Sequence, residues 1–179
     1  VEKKQVLKKA GEIKSMLEKG GFSVNIDNRE GYTPGWKFNE WELKGIPLRL
    51  EIGPRDIKNG HVVIVRRDTN EKVVVKDKDS VKKVSSLLQD IQENLYKKAK
   101  KNLDSSIATV KSYTDFKKVI DGKGGFVKAS WCGENHCEEQ IKVETGATIR
   151  VIPLKKEPNV SRCIYCSKEG KEIVYFSRA

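Results

Sequence analysis

Residues 34–56, PGWKFNEWELKGIPLRLEIGPRD, join a helix signal to a strand signal within 23 residues. Pro34 favours the first turn of a helix and Gly45 favours its end, so the first half predicts a short helix. Every second residue from Ile46 to Ile52 is apolar, and this alternation predicts a strand with one core face and one charged face. The stretch also contains three aromatic and eight charged residues. Neither a plain core strand nor a plain surface loop needs both, so the composition indicates a binding surface.

The sequence on either side predicts further helices and strands. Apolar residues recur every three or four positions over residues 6–17, which predicts a helix, and two following glycines predict its end. Residues 22–26 then alternate between apolar and polar, as in a half-buried strand. Residues 61–76, HVVIVRRDTNEKVVVK, are two β-branched runs that predict a hairpin turning at residues 68–70. These features predict an α/β fold in which a small mixed sheet is flanked by helices.

A second domain is expected after a long helix. The helical period returns at Ser80 and continues for about two dozen residues, which gives a connecting helix over residues 80–103 between domains 1–79 and 104–179. In the second domain the pattern predicts two helices, at residues 113–120 and 138–144. It also predicts three strands, within the stretches GGFVKASW, ATIRVIP and EIVYFS. A compact α/β domain is the expected result.

The four cysteines of the chain form two close pairs in the second domain. Cys132 and Cys137 are separated by four residues, and Cys163 and Cys166 by two. Two short-spaced pairs brought together by an intervening fold are typical of a closed tetrahedral zinc site, and four thiolates leave no open position for catalysis. His136 adjoins Cys137 and is expected to be a bystander. The alternative is four buried free thiols; a disulfide framework would require an oxidising compartment, which nothing else in the chain indicates.

Charge and hydropathy narrow the classes of function. The chain carries a net charge of +11. Residues 1–103 contain 23 Lys and Arg against 15 Asp and Glu, a net +8, and residues 104–179 contain 13 against 10, a net +3. A polyanion is therefore a plausible partner of the first part, and solvated lysine-rich helices are the equally weighted alternative. No apolar run approaches the ~20 residues of a membrane helix, and the start at Val1 suggests a processed chain or a fragment.

Few residues have the spacing of a catalytic site. His61 has no partner evident in the sequence. No nucleotide-binding glycine loop and no Ser/His/Asp arrangement occurs. A binding function is expected rather than catalysis by these residues.

The opening stretch, extended to YTPGWKFNEWELKGIPLRLEIGPRD and followed by VVIVRRDTNEK, resembles the anticodon-binding domain of prolyl-tRNA synthetases of the eukaryotic and archaeal type. The resemblance continues through DIQENLYKKAKKNLD and KGGFVKASWCGENHCEE to CIYCSKEGKEIVYFSRA, which is similar to the C-terminal zinc-binding domain of that family. The first strand of the anticodon-binding domain and the catalytic domain have no counterpart in this sequence. The family also ends in a tyrosine, where this chain has Ala179.

The resemblance implies roles for five residues of the opening stretch. The position of Phe38 stacks on an anticodon base in that family, and the positions of Glu42, Arg49, Arg55 and Asp56 contact anticodon bases. One aromatic and four charged side chains suit these roles, because RNA recognition favours unpaired bases that stack on aromatic rings and are read at their edges. The alternatives are a core position for Phe38 and a surface salt-bridge cluster for the four charged residues. Two further aromatic residues are expected in the core, Trp36 and Trp41.

The resemblance also implies the function of the whole enzyme. The enzyme that the resemblance implies is a cytoplasmic class II synthetase, typically a homodimer, that joins proline to its tRNA with ATP and magnesium. The present chain would supply anticodon recognition and a structural zinc, with proline tRNA and the catalytic domain of the parent enzyme as partners. Two other functions stay open: a non-catalytic regulator or scaffold that reuses the tRNA-binding fold, and a zinc module that serves as a protein-interaction surface.

Overall fold

The computed structural model describes residues 2–158 and 160–178. The chain divides into two compact units, Val1–Lys98 and Ala99–Ala179. The helices are α1 (Glu2–Lys19), α2 (Pro34–Leu43), α3 (Pro54–Asn59), α4 (Ser80–Ser105), α5 (Tyr113–Asp121) and α6 (Asn135–Thr145). The strands are β1 (Leu48–Glu51), β2 (His61–Arg66), β3 (Lys72–Lys76), β4 (Ile107–Thr109), β5 (Phe126–Trp131), β6 (Thr148–Val151) and β7 (Glu172–Ser177). The predicted α/β class, with two small sheets and a long helix, is confirmed.

The sheet of the first unit has two chemically different faces. Its order is β1-β2-β3 and both pairs are antiparallel, with Arg49 opposite Val65 and Val65 opposite Lys72. Because neighbouring residues of a strand point to opposite faces, the apolar alternation of β1 and β2 builds one face against α1 and α4. The buried residues of this core are Ile13, Leu17, Val62, Ile64, Val75, Val84 and Leu87. We call the opposite side, which carries Arg49, Glu51, Val63, Val65, Lys72 and Val74, the outer face.

Two expectations for the first unit are wrong. Residues 22–26 do not form a strand, and no strand of the first sheet pairs with them. Phe22 and Val24 still pack against the core, which accounts for the alternation, but a strand also needs a neighbour that takes up its backbone hydrogen bonds. Without this segment as a parallel strand, the described sheet is antiparallel rather than mixed.

Strand β1 is followed at Gly53-Pro54 by the short helix α3. Pro54 occupies the first turn of α3, where its missing N–H costs nothing. The Asp56 carboxylate accepts a hydrogen bond from the Gly53 N–H at 2.7 Å and caps the helix. Helix α3 thereby links β1 to the antiparallel strand β2. The predicted hairpin at residues 68–70 is confirmed, with Asn70 in the left-handed conformation at φ 58°.

The second unit contains the mixed sheet. Its strand order is β4-β5-β7-β6, in which β4 and β5 are parallel and the other pairs are antiparallel. The two predicted helices and three predicted strands are all present, whereas β4 was not predicted. Helix α6 begins at Asn135 and not at residue 138, and it ends before Gly146 at φ 71°. The fully buried large side chains of its core are Phe116, Val127, Ile141, Val174 and Phe176.

Helix α4 confirms the long helical pattern from Ser80 onward. Its first turns bury Ser80, Val84, Leu87 and Ile91. The predicted boundaries between domains and the connecting role of this helix stay predictions. Among residues 2–158 and 160–178, no helix combines the length and apolar composition needed to cross a bilayer.

A buried ion pair fixes the β2–β3 hairpin to α4. The Arg66 guanidinium donates to both Asp68 oxygens at 3.0 and 2.8 Å, and the Asn94 amide donates to Asp68 at 2.7 Å. The Asp68 side chain is only 3% exposed. These donors, chiefly Arg66, lower the pKa of Asp68 to about 2 from a usual value of 3.8.

We expect this pair to make the first unit sensitive to acid. A lowered folded-state pKa stabilises the protein above pH ~4 and loses that contribution as the pH falls toward 2. Asp68→Asn should therefore lower the free energy of unfolding by about 2 kcal/mol at neutral pH, and the difference from wild type should shrink between pH 4 and 2. Urea unfolding across this range checks it. Glu71→Gln is the control, since Glu71 is exposed and lies 4.0 Å from Arg66; a difference that is constant with pH in Asp68→Asn would contradict the prediction.

Candidate nucleic-acid interface and metal centre

A surface depression lies where α2 crosses the outer face of the first sheet. Helix α2 begins at Pro34 with Thr33 as its cap, because the Thr33 hydroxyl accepts a hydrogen bond from the Trp36 N–H at 3.3 Å. The residues that line the depression are Phe38, Trp41, Glu42, Ile46, Pro47, Arg49, Val65 and Arg67. Three of the five predicted RNA-contacting residues, Phe38, Glu42 and Arg49, are therefore brought together.

Arg49 is the centre of this depression. Its guanidinium donates to Glu42 at 2.6 Å and to Glu51 at 3.0 Å. The guanidinium carbon also lies 4.0 Å from the centre of the Phe38 ring, a cation–π contact. The Glu51 carboxylate also pairs with Lys72 at 3.4 Å. The depression thus presents an aromatic ring, a hydrogen-bond acceptor and a hydrogen-bond donor within one connected network.

The burial of Phe38 lies between that of a core residue and that of an exposed stacking residue. Its side chain is half-buried rather than part of the core, and its ring is one wall of the depression. The Arg49 and Glu42 side chains are 21% and 37% exposed. All three therefore keep surface that a ligand could contact, and base contacts by Phe38, Glu42 and Arg49 stay a prediction.

Arg55 and Asp56 lie on α3 and do not line the depression. Arg55 is exposed and makes no ion pair with the described residues. Asp56 uses both of its oxygens inside the chain, one to cap α3 and the other to contact His61 Nε2 at 2.8 Å. His61, for which no partner is evident in the sequence, thus has one in the structure. A base contact by Asp56 stays a prediction, and its observed contacts give it a role in holding the β1–β2 connection.

The expectation that Trp36 is a core residue is wrong. Trp36 is 44% exposed and stacks on Tyr32 with ring centres 4.2 Å apart. Arg29 lies beside both rings and pairs with Glu40. Trp36 sits in the first turn of α2 and faces the loop before the helix instead of the sheet. The spacing of apolar residues in the sequence does not predict this orientation. Trp41, the other expected core aromatic, is half-buried and donates to Asp27 at 2.8 Å.

Arg67 is a residue of the depression that the sequence reasoning missed. It follows β2, two positions after Val65, so it shares the outer face with Val65 and Arg49. Its side chain is exposed, and its backbone N–H donates to Pro47 at 3.0 Å. The register of β1 against β2 was the missing information, because only that register places Arg67 beside Pro47.

The four cysteines of the second unit converge as predicted. Their sulfur atoms all lie within 4.8 Å of one another, with 3.5 Å between Cys132 and Cys137 and 3.8 Å between Cys132 and Cys166. A tetrahedral zinc with Zn–S bonds of about 2.3 Å requires neighbouring sulfurs about 3.8 Å apart. The two shortest of these distances are close to that spacing, and all four cysteines are free thiols rather than disulfides. His136 is exposed and lies outside the cluster.

Each cysteine pair is held by a defined element. Cys132 directly follows β5, and Cys137 lies in the first turn of α6, where the helix dipole favours a thiolate. Cys163 and Cys166 belong to a tight turn in which the Cys163 N–H donates to Lys168 and the Ser167 N–H donates to Cys163. Helix α6 starts two residues before Cys137, so the regular backbone of the helix positions the Cys137 thiol.

The thiol pKa values differ in ways that bear on metal binding. Burial raises the pKa of Cys132 and of Cys137 above the usual value. The backbone N–H of Lys168 lowers the pKa of Cys166 to about 7. Because a metal binds the thiolate, Cys166 is the thiol that would deprotonate most readily at neutral pH, and a metal held by all four cysteines would release the protons of the buried thiols to solvent.

The Glu144 carboxylate holds the turn that carries Cys163 and Cys166 against helices α5 and α6. Glu144 on α6 accepts hydrogen bonds from Tyr113 and Tyr165, both at 3.1 Å, and pairs with Lys117 at 2.5 Å. Tyr165 stands between Cys163 and Cys166 in the sequence. The turn that carries these two cysteines is therefore anchored to α5 and α6 independently of a metal.

Both units match known protein families. Residues 1–87 match the family described as anticodon binding domain, and residues 113–179 match the family described as prolyl-tRNA synthetase, C-terminal. The first match contains every residue of the depression. The second contains the four cysteines.

Whole-chain relatives carry one name. The chain is 49% identical over 177 residues to a proline–tRNA ligase of Alkaliphilus oremlandii, covering 99% of this chain and 37% of that protein. It is 46% identical over 180 residues to the proline–tRNA ligase of Natranaerobius thermophilus and 40% identical over 177 residues to proline–tRNA ligase 2 of Clostridioides difficile, with the same coverage. The chain spans about 37% of the length of these relatives. The chain therefore belongs to the prolyl-tRNA synthetase family, from whose C-terminal region it holds the anticodon-binding domain and the C-terminal domain.

Proposed function

We propose that this chain recognises the anticodon of proline tRNA as part of a proline–tRNA ligase. The observation that carries the proposal is the convergence of Phe38, Glu42 and Arg49 in one depression of the anticodon-binding unit. Stacking, hydrogen-bond acceptance and hydrogen-bond donation are the three means by which proteins read unpaired bases. The name shared by the relatives favours this function over a non-catalytic regulator or scaffold.

The chemistry of ligation belongs to the rest of the ligase in this proposal. Neither matched family is a catalytic domain, so ATP, magnesium and proline bind elsewhere in the enzyme, which works as a cytoplasmic homodimer. Alone, the 179 residues should bind proline tRNA without forming prolyl-tRNA. Arg55 and Asp56 complete the proposed base-reading set from the adjoining helix α3.

We further propose that the four cysteines hold one structural zinc ion. The sulfur spacing supports zinc, and four protein ligands exclude a water that could react. The ion joins the end of β5, the start of α6 and the turn before β7. Its role is to stabilise the second unit.

We expect tRNA binding to weaken steeply with salt. If the net +8 of residues 1–103 neutralises about four or five phosphates, log K should fall with log salt at a slope of roughly −3, using about 0.7 per phosphate of single-stranded RNA. Filter binding or fluorescence anisotropy of proline tRNA between about 50 and 300 mM KCl measures the slope. A flat response would mean that the positive charge serves solubility and not RNA binding.

Anticodon variants test the proposal itself. Proline codons are CCN, so the anticodon of proline tRNA has guanine at its second and third positions. The isolated chain should bind native proline tRNA more tightly than the same tRNA with one of these two guanines replaced. Equal binding of both, together with a normal salt slope, would leave the chain a general RNA binder and would contradict anticodon recognition.

A further inference from the structure

The positive charge available to a ligand at the depression comes chiefly from one side chain. Arg49 is already paired with Glu42 and Glu51, and Lys72 is paired with Glu51. Arg67 makes no ion pair with residues 2–158 and 160–178, although it lines the same depression. The two carboxylates balance Arg49 and Lys72, so the net charge of this group of five equals that of Arg67.

Arg67 also differs from the other lining residues in exposure. Phe38, Glu42 and Arg49 are half-buried, whereas Arg67 is exposed. It is held at the rim through its backbone, because its N–H donates to the Pro47 carbonyl at 3.0 Å. The Arg67 side chain is thus exposed while its backbone is fixed by the sheet, and it lines the same depression as Phe38, Glu42 and Arg49.

We infer that Arg67 binds a backbone phosphate of the RNA strand whose bases enter the depression. The inference rests on the proposed function, since it names the group that holds the strand while Phe38, Glu42 and Arg49 contact its bases. A guanidinium matches two phosphate oxygens with parallel hydrogen bonds. Contacts to phosphate position a nucleic acid without reading its sequence, which suits an exposed rim residue better than a half-buried one.

The test compares Arg67→Ala with Lys8→Ala in the full chain. Lys8 is an exposed cation on α1, the helix that packs on the opposite face of the sheet, so the control removes the same charge away from the depression. Binding of native proline tRNA and of a guanine-substituted tRNA is measured across the salt range. Arg67→Ala should reduce the slope of log K against log salt by about 0.7 and weaken binding about fourfold at ~0.15 M salt. Both tRNAs should be affected alike.

Arg67→Lys provides a second variant that keeps the charge. It should retain the wild-type salt slope and lose only part of the affinity, because an ammonium group lacks the planar fork. Two outcomes would overturn the inference: Arg67→Ala behaving like Lys8→Ala, or Arg67→Ala selectively narrowing the difference between the two tRNAs, which would make Arg67 a base reader. Either outcome leaves anticodon discrimination by the wild-type chain intact, whereas loss of that discrimination in the wild type would reject the proposed function instead.

Discussion

Removal of zinc by a chelator is expected to unfold residues 104–179 and to leave the sheet of the first unit folded. Structural zinc contributes on the order of 10–16 kcal/mol at neutral pH, which is as large as the whole stability of a domain, about 5–15 kcal/mol. Three of the four cysteines are at least 97% buried, since their exposed fractions are 3%, 3% and 2% for Cys132, Cys137 and Cys163. Without the ion, the three buried thiols and the half-buried Cys166 would lose the bonds that join β5, α6 and the turn before β7.

Hydrogen exchange resolved by segment measures this result. Protection should disappear in β5 and α6 on chelation, persist in β1 and β2, and return when zinc but not magnesium is added. Freshly purified protein should contain one zinc per chain. Less than about half an equivalent would count heavily against the site.

Single substitutions separate ligands from neighbours. Cys163→Ser should remove a ligand and lower the melting temperature of the second unit, and His136→Ala should change neither zinc content nor melting, because His136 is exposed beside the cluster. Unchanged melting of Cys163→Ser would show that the Glu144 anchor and the apolar core suffice, and would reject zinc as the main source of stability.

Substitution of Glu42 or Arg49 is expected to change which tRNA the chain prefers. Proline codons are CCN, so every proline anticodon has guanine at its second and third positions. The Watson–Crick edge of guanine offers two adjacent N–H donors that a carboxylate accepts together, and its O6 and N7 accept from arginine. Glu42→Gln and Arg49→Ala should each weaken binding of proline tRNA by about 1–3 kcal/mol. Each should also narrow the difference between native and guanine-substituted anticodons.

The two residues should not act independently. Their side chains are 2.6 Å apart, and groups in direct contact usually give non-additive effects. The double variant should therefore lose less than the sum of the single losses. Phe38→Leu should remove a stacking surface worth about 1–3 kcal/mol per base.

A matched control comes from the same network. Glu51 contacts Arg49 at 3.0 Å but is not in the proposed base-reading set, so Glu51→Gln should preserve the anticodon preference. A purely electrostatic site makes a different forecast: Arg49→Ala weakens every tRNA alike, and Glu42→Gln tightens every tRNA because a repelling charge is gone. Measurement of that pattern would reject base reading by this stretch.

The sequence predicted what depends on local pattern. Proline and glycine placement predicted α2, β-branched runs predicted the hairpin, and the paired spacing of Cys132, Cys137, Cys163 and Cys166 predicted the sulfur cluster. The helix and the hairpin are decided by residues close together in the chain. Each cysteine pair is also close in sequence, although 25 residues separate Cys137 from Cys163 and the fold brings the two pairs together.

The errors share a different origin. The alternation of residues 22–26 reports burial against a core, but strand formation also depends on a partner that is distant in sequence. Trp36 is a large aromatic residue of the kind usually found in a core, but it sits where α2 faces a loop, so its exposure depends on tertiary geometry. Arg67 enters the depression through the register of two strands. Each case required knowledge of neighbours that no single segment contains.

If RNA bases enter the depression as proposed, the ion pair between Glu42 and Arg49 competes with them for both side chains. A guanine can replace both partners at once, because it offers donors to the carboxylate and acceptors to the guanidinium. A base with only one of these patterns separates the pair and leaves one charge without a partner in a half-buried site, which is costly. In the unbound protein the pair also keeps both side chains in place, so less conformational freedom is lost on binding. Rejection of wrong anticodons would thus begin in the free protein, as the cost of opening a contact that it already makes.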